Sequence, residues 1–396
     1  MTDALRGQPK QVWITAFAAV IAFMGIGLVD PILLSIAHGL NASASQVTLL
    51  FASYLGVQVI AMLVTGTLSA RFGPKRTVLT GLALIVVATV ACSLAATIGQ
   101  LIALRAVWGL GNAFFIATAL SVIVGAATGG QKGAILLYEA ALGVGLAIGP
   151  LLGALLGSIS WRGPFAGTAV LMAVGLVLCA GFLRKDADQQ RTPIRLADPL
   201  RALKHGGLLR TSIGSAFYTF SFFVVLAWTP FVLNFSAIEV GLVFCGWGVC
   251  VAVAGVFGAP KLAAWLGERH ATVLAVLGYA ALMAIMIVPD KTVVVLMVIL
   301  SGIMSGLLNT LFTGTAMSIS DAPRPVASAG YNFCRWFGGA AAAILVSHIA
   351  DWAGFDHAPF AVAAVCCVIA AGLLLGRGKD TRKVPEDAAL VGNEEL

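Results

Sequence analysis

The sequence predicts an all-α membrane protein with twelve transmembrane helices in two pseudo-symmetric six-helix bundles. Three observations carry that prediction: a composition outside the soluble range, twelve apolar runs of membrane-crossing length, and basic residues confined to alternate loops. Of the 396 residues, 60% are hydrophobic and 10% charged, and mean hydropathy is +0.99. A soluble chain carries about 25% charge, so this one is solvated by lipid.

Crossing about 30 Å of hydrocarbon takes roughly 20 apolar residues. Runs of that kind fall at about 12–36, 46–69, 77–97, 100–125, 133–157, 164–183, 211–235, 240–264, 271–288, 293–319, 327–349 and 359–376. The cuts between them lie at charged residues, prolines and glycines, the shortest being Thr97-Ile98-Gly99 and Pro289-Asp290-Lys291.

Orientation follows from the basic residues, because cytoplasmic loops are enriched in lysine and arginine. With both termini cytoplasmic, 20 of the 24 fall inside (six up to Lys132, seven from Arg184 to Arg210, and seven from Lys261 onward), while Arg162 and Lys291 fall outside. The remaining two, Arg105 and Arg335, lie within spans. The net charge of +7 is therefore a topology signal. Nucleic-acid binding needs a basic patch on a soluble face, and this chain has none.

All seven cysteines lie inside spans without metal-ligand spacing, and read as small packing residues. The long first span lacks a small-residue cleavage site, which argues against a cleaved signal. The expectation is a multi-pass protein of the cell (inner) membrane, a monomer without cofactor or metal. Its partners are the bilayer, protons and a small-molecule substrate.

The longest hydrophilic stretch, 184–210, divides the chain into bundles at 1–183 and 211–376, followed by a cytoplasmic tail at 377–396. Two echoes support duplication. Arg71-Phe72-Gly73-Pro74-Lys75 returns as Trp265-Leu266-Gly267-Glu268-Arg269, 194 positions on, and Tyr138-Glu139 returns as Tyr331-Asn332, 193 on. Repeated halves are a common construction in secondary transporters.

At this point the chain resembles the major facilitator superfamily, in particular the twelve-span drug:proton antiporters. The segment Gly66-Thr67-Leu68-Ser69-Ala70-Arg71-Phe72-Gly73-Pro74-Lys75-Arg76 is similar to the superfamily signature after the second span. Leu104-Arg105-Ala106-Val107-Trp108-Gly109 resembles its intramembrane-arginine motif, and Gly145, Gly149, Pro150 and Gly153 resemble the fifth-span antiporter motif. Asp30-Pro31 and Trp161-Arg162 also fit. The resemblance implies multidrug efflux by proton antiport, with Gly66, Arg71, Gly73, Lys75 and Arg76 in a gating loop. One departure stands out: the signature aspartate, implied to help the halves grip each other at the inner face, is Ala70 here.

Four charges lie at bilayer depth: Asp30, Arg105, Glu139 and Arg335. Such residues are costly and mark function by default. At 1.5 Å per residue, Asp30 and Arg105 sit at a matched depth of about 8–9 Å below the outer surface. They read either as a structural ion pair or as a proton carrier with its controlling arginine. Glu139, about 10 Å inside the cytoplasmic end, reads as a second proton site, as a counter-charge for a cationic substrate, or as a partner of Lys132 or Arg76. Arg335 can pair with Glu139, hold an anionic group of the substrate, or reach a neighbour's carbonyls.

Gly145, Gly149 and Gly153 share one helix face and allow close approach, with Pro150 introducing a bend. Phe217, Phe220, Trp228, Phe231 and Phe235 fall within about 80° of arc on the seventh span, either as packing or as a cavity wall. Asn112 and Asn309 add polar atoms able to contact substrate. There is no phosphate-cradling G-x-x-x-x-G-K-[ST] loop, no enzymatic constellation, and no loop long enough for a signalling domain. The reading is a proton-coupled exporter of hydrophobic or cationic small molecules, working by alternating access. The alternative is a proton-coupled transporter of a polar metabolite or nutrient.

Overall fold

The computed structural model describes residues 8–126, 131–183, 197–320, 322 and 324–376. Twelve helices long and apolar enough to cross a membrane lie among them. They are α1 (Lys10–Gly27), α2 (Ala44–Phe72), α3 (Pro74–Ser93), α4 (Ile98–Ala126), α5 (Gln131–Ile159), α6 (Gly163–Phe182), α7 (Gly206–Leu233), α8 (Ala237–Leu266), α9 (Glu268–Ile285), α10 (Lys291–Ser318), α11 (Arg324–Ala353) and α12 (Ala358–Leu375). No strand occurs among the described residues.

Two spans depart from the plain rods that the apolar runs imply. The first run is broken: α1 stops at Gly27, a 3-10 turn covers Asp30–Ile32, and a separate helix runs Leu33–Leu40. Pro31 is the cause, since it offers no N–H and disfavours helical geometry in the residue before it. In α8, a π turn at Ala254–Gly258 precedes Pro260. Thr310 of α10 donates its hydroxyl hydrogen to the Gly255 carbonyl there at 3.2 Å. The expected linker is partly helical, at Asp198–Ala202; residues 184–196 and the tail from 377 lie outside the described residues.

Within the first six helices, α4 packs on α2 and α3, and α1 and α3 pack on α6. In the second six, α7 packs on α11 and α12, α8 on α10, and α9 on α10 and α12. Two long seams join the sets, α5 along α8 and α2 along α11.

The corners of the two sets are near copies. Asn41 and Asn234, 193 positions apart, end their helices in the left-handed conformation (φ 48°, ψ 45° and φ 49°, ψ 45°). Two residues later Ser43 and Ser236 each open the next helix in a capping box, with Gln46 and Glu239 respectively. At the opposite end Gly73 (φ 94°) and Gly267 (φ 77°), 194 apart, make the turns into α3 and α9. A side chain is strained at such φ, which is why the turn is glycine in both. Lys75 then donates to the carbonyls of Ala180 and Leu183 at the end of α6. Arg269, 194 on, donates to those of Leu374, Leu375 and Gly376 at the end of α12. Each cation satisfies orphan carbonyls and opposes the negative end of a helix dipole. We call this end of the molecule the basic end.

Small residues set how closely α5 can approach two neighbours. A Cβ on Gly145, Gly149 or Gly153 would run into the carbonyl oxygens of Val20, Met24 and Leu28, so this face is pressed along α1. Pro150 sits in the same contact, its ring against Gly27, and α5 continues through it. A different face carries Gly143 and Ala147, which meet Ala252 and Gly248 of α8 across the seam between the sets.

Candidate functional site

Two buried polar clusters lie inside the apolar bundle. The first belongs to α2 and α4. Arg105 is fully buried, its guanidinium carbon 4.5 Å from the Tyr54 ring centre and 4.6 Å from that of Trp108. Its Nε donates to the Leu50 carbonyl at 3.4 Å. Aromatic faces stabilise a desolvated guanidinium by about 2 kcal/mol or more. Further along α4, Asn112 donates to the Tyr54 hydroxyl at 2.6 Å and to Gln58 Oε1 at 3.1 Å. The expected Asp30–Arg105 pair involves the Asp30 side chain, which lies outside the described residues. Sequence reasoning missed the aromatic partners of Arg105, among them Phe51, whose ring centre lies 6.0 Å from the guanidinium carbon. The available signal was three-residue spacing, which puts Trp108 on the Arg105 face of α4 and Phe51 with Tyr54 on one face of α2.

The second cluster joins the two sets of helices. Glu139 of α5 is 3% exposed. Its Oε1 accepts the Thr313 hydroxyl of α10 at 2.8 Å and lies 3.8 Å from Arg335 Nη1 of α11. Arg335, 6% exposed, also donates from Nη1 to Thr313 Oγ1 at 3.4 Å and from Nη2 to Asn309 Oδ1 at 3.0 Å. Tyr218 of α7 donates to the same Asn309 oxygen at 3.1 Å. The Tyr331 hydroxyl lies 3.4 Å from Thr313 Oγ1 and accepts from Ser215 at 3.3 Å. Of the alternatives open for Arg335, the pair with Glu139 is the one present in this structure. Lys132, one suggested partner of Glu139, has its side chain outside the described residues, and Arg76 is exposed at the start of α3.

Beside this cluster the halves enclose a cavity of about 10 Å³, room for about one water. Its apolar walls are Phe23 and Ile26 of α1, Leu142 and Leu146 of α5, and Phe222 and Phe223 of α7. Its polar walls are Thr219, Asn309, Arg335 and the edge of Trp336. Sequence reasoning found Asn309 and Arg335 but missed Thr219, Thr313 and Trp336. The available signals were Thr313 one turn after Asn309 and Trp336 next to Arg335.

Other expected site residues stand elsewhere. Asn112 is committed to Tyr54 and Gln58. Phe217, Phe220 and Trp228 do not wall the cavity; the residues that do, Thr219, Phe222 and Phe223, fall on roughly the opposite face of α7. Trp228 donates its indole N–H to the Asp356 carbonyl at 2.6 Å, its ring against Phe231. In the signature-like loop, Gly66 is buried in α2, Arg71 lies over the Phe72 ring at 5.5 Å, and Gly73 and Lys75 build the corner within the first set.

The sequence profile of the Major Facilitator Superfamily matches residues 15–343. The chain belongs to that superfamily. Among its relatives is a multidrug efflux protein, YfmO, of Bacillus subtilis (strain 168), 44% identical over 340 residues, or 85% of this chain and 86% of that one. A class C tetracycline resistance protein of Escherichia coli is 30% identical over 285 residues, or 65% and 70% of the two chains. The superfamily fold is also met in the human organic anion transporter MFSD10, with a TM-score of 0.78 over 93% of this chain and 100% of that one, at 16% identity. The chain is a multi-pass membrane transporter of that family.

Proposed function

We propose that the protein exports hydrophobic and cationic small molecules in exchange for protons by alternating access. The observation that carries this reading is the Glu139–Arg335 ion pair, which ties α5 of one half to α10 and α11 of the other. Relatives named for multidrug efflux and tetracycline resistance support it. On this reading the basic end faces the cytoplasm, since the topology read from the sequence assigns 20 of the 24 basic residues to the cytoplasmic side.

The coupling follows from the atoms of the pair. Oε1 of Glu139 is engaged by Thr313, whereas Oε2 is buried without a hydrogen-bond donor. A proton arriving on Oε2 neutralises the carboxylate and removes its attraction for Arg335. The halves then lose their charged tie at this level and separate, enlarging the cavity between them. A cationic substrate occupies the ground that the proton or Arg335 held, next to the same carboxylate. Two ligands that exclude each other at one group move in opposite directions across the cycle, which is antiport. Asp30 is the second candidate carrier, with Arg105 beside it in the sequence reading. The mostly apolar cavity wall disfavours a polar metabolite.

Reconstituted protein with an imposed pH gradient tests the reading against a panel of cationic, neutral and anionic compounds. Efflux of hydrophobic cations against proton flow is expected. Movement of a polar metabolite in the same direction as protons, with no cation exchange, favours the alternative.

A further inference from the structure

The polar side of the cavity is made almost wholly of hydrogen-bond donors. Asn309 has its oxygen taken twice, by Arg335 Nη2 and by the Tyr218 hydroxyl. That fixes the orientation of its amide and leaves Nδ2, which has no acceptor. Trp336 Nε1, which can only donate, has no acceptor either, and Thr219 Oγ1 makes no hydrogen bond. All three residues wall the same cavity and are at most 4% exposed. Buried polar groups in native proteins are nearly always satisfied. Three unmatched groups on residues that wall one space mark a place for an acceptor.

We propose that this cavity, enlarged when the halves separate, recognises an uncharged oxygen acceptor, such as a ketone or amide carbonyl, carried on a flat apolar body that would lie along Phe23, Phe222 and Phe223. The proposal deepens the export reading and rests on it. The charge of the acceptor follows from Arg335. Its donors are already held by Glu139, Thr313 and Asn309. An anionic oxygen would draw Arg335 off Glu139 and leave the carboxylate without its counter-charge, so that it would take up a proton. Substrate and proton would then bind together, and linkage would give cotransport instead of exchange. A neutral carbonyl takes the free donors of Asn309, Trp336 and Thr219 without that effect. The nearby guanidinium also repels a cationic group from the carbonyl's corner, so the cationic end of an amphiphile lies toward the Glu139 carboxylate instead.

9-Fluorenone and fluorene have nearly the same shape and differ in a carbonyl against a methylene. Equilibrium dialysis with purified full-length protein, using empty detergent micelles as the partition blank, compares them directly. The wild type is expected to bind fluorenone about tenfold tighter than fluorene, because a site built to hydrogen-bond a group rejects the analogue lacking it. Trp336→Phe keeps an aromatic ring while removing the indole N–H, and Thr219→Val keeps the shape while removing the hydroxyl. Each alone should cut the preference by about threefold and the double variant should level the two ligands. Equal binding of both ligands by the wild type, or an unchanged preference in stable single variants, overturns the proposal. A parallel assay of ethidium-driven proton counterflow in proteoliposomes separates the two readings. Counterflow without ketone preference leaves the export reading standing and removes this one. Ketone preference without counterflow keeps the recognition site and removes proton-coupled export.

Discussion

The two halves of the molecule share their corners and differ in their middles. Asn41 and Asn234, Ser43 and Ser236, Gly73 and Gly267, Lys75 and Arg269 occupy matching positions and do matching jobs. At mid-membrane the match ends. Arg105 in the first half is clasped by aromatic faces of α2 and α4, while Arg335 in the second reaches across to an acid of the opposite half. Duplication preserved what folds each bundle, and the parts that diverged are those that make one bundle answer to the other.

The largest expected effect comes from removing the charge at the centre of that asymmetry. Glu139→Gln keeps the Thr313 hydrogen bond but abolishes the ion pair and the protonatable group, so pH-gradient-driven export should fall to background in proteoliposomes. Breaking a buried pair by removing one partner costs about 3–5 kcal/mol, enough to favour separated halves. Normal export by this variant removes Glu139 from the mechanism.

The two arginines should separate when each is replaced by lysine. Arg335→Lys loses the fork that joins Thr313 and Asn309, so export should drop at least tenfold while thermal stability changes little, about 1 kcal/mol. Arg105→Lys loses stacking on Tyr54 and Trp108, and stability and transport should fall together, by about 1–2 kcal/mol in stability. A thermal melt beside a transport assay reads both. Identical profiles for the two variants would erase the distinction between a clasped and a bridging arginine.

Glycines sharpen the comparison within a single helix. Gly149→Leu forces α5 off α1 inside the first half and should depress folded yield, overpacking of this kind costing about 1–3 kcal/mol or more. Gly248→Leu wedges only the seam with Ala147, so the protein should fold and be recovered with altered transport. Equal losses of folded protein would show that seam and interior are one rigid unit.

The smallest effects belong to the duplicated corners. Lys75→Ala and Arg269→Ala should each cost about 0.3–1 kcal/mol, and by similar amounts, measured as shifts in melting temperature. A large loss of transport from Lys75→Ala alone would give the signature-like loop the gating role that the family resemblance implies and that its helix-capping contacts do not require.

The fold was legible because span length and hydropathy are summed over twenty residues, and a sum tolerates local noise. Even the irregularity at Asp30-Pro31 was written in the chain, although a hydropathy window runs straight through it. The site was legible only in part. Rarity of charge inside the membrane marked Glu139 and Arg335 individually, but nothing in one sequence fixes the rotation of α5 against α10. For that reason Thr313 was missed and the pairing of Arg335 stayed open. The aromatic stripe on α7 stayed open between packing and cavity wall for a related reason: a helix in a bilayer is apolar all round, so periodicity no longer tells inward from outward. The duplicated Asn-x-Ser-x-x-Gln/Glu corner, by contrast, was visible as a constant 193-residue offset, a stronger repeat signal than the two echoes that were used.

The central claim is that Glu139 carries the proton exchanged for substrate. The direct test is substrate-induced proton release from purified protein in weakly buffered solution, comparing wild type with Glu139→Gln at saturating ethidium. The account predicts release from the wild type and none from Glu139→Gln, although that variant still binds the substrate. Undiminished release from Glu139→Gln would contradict it and move the exchanged proton to another group, with Asp30 the first to examine.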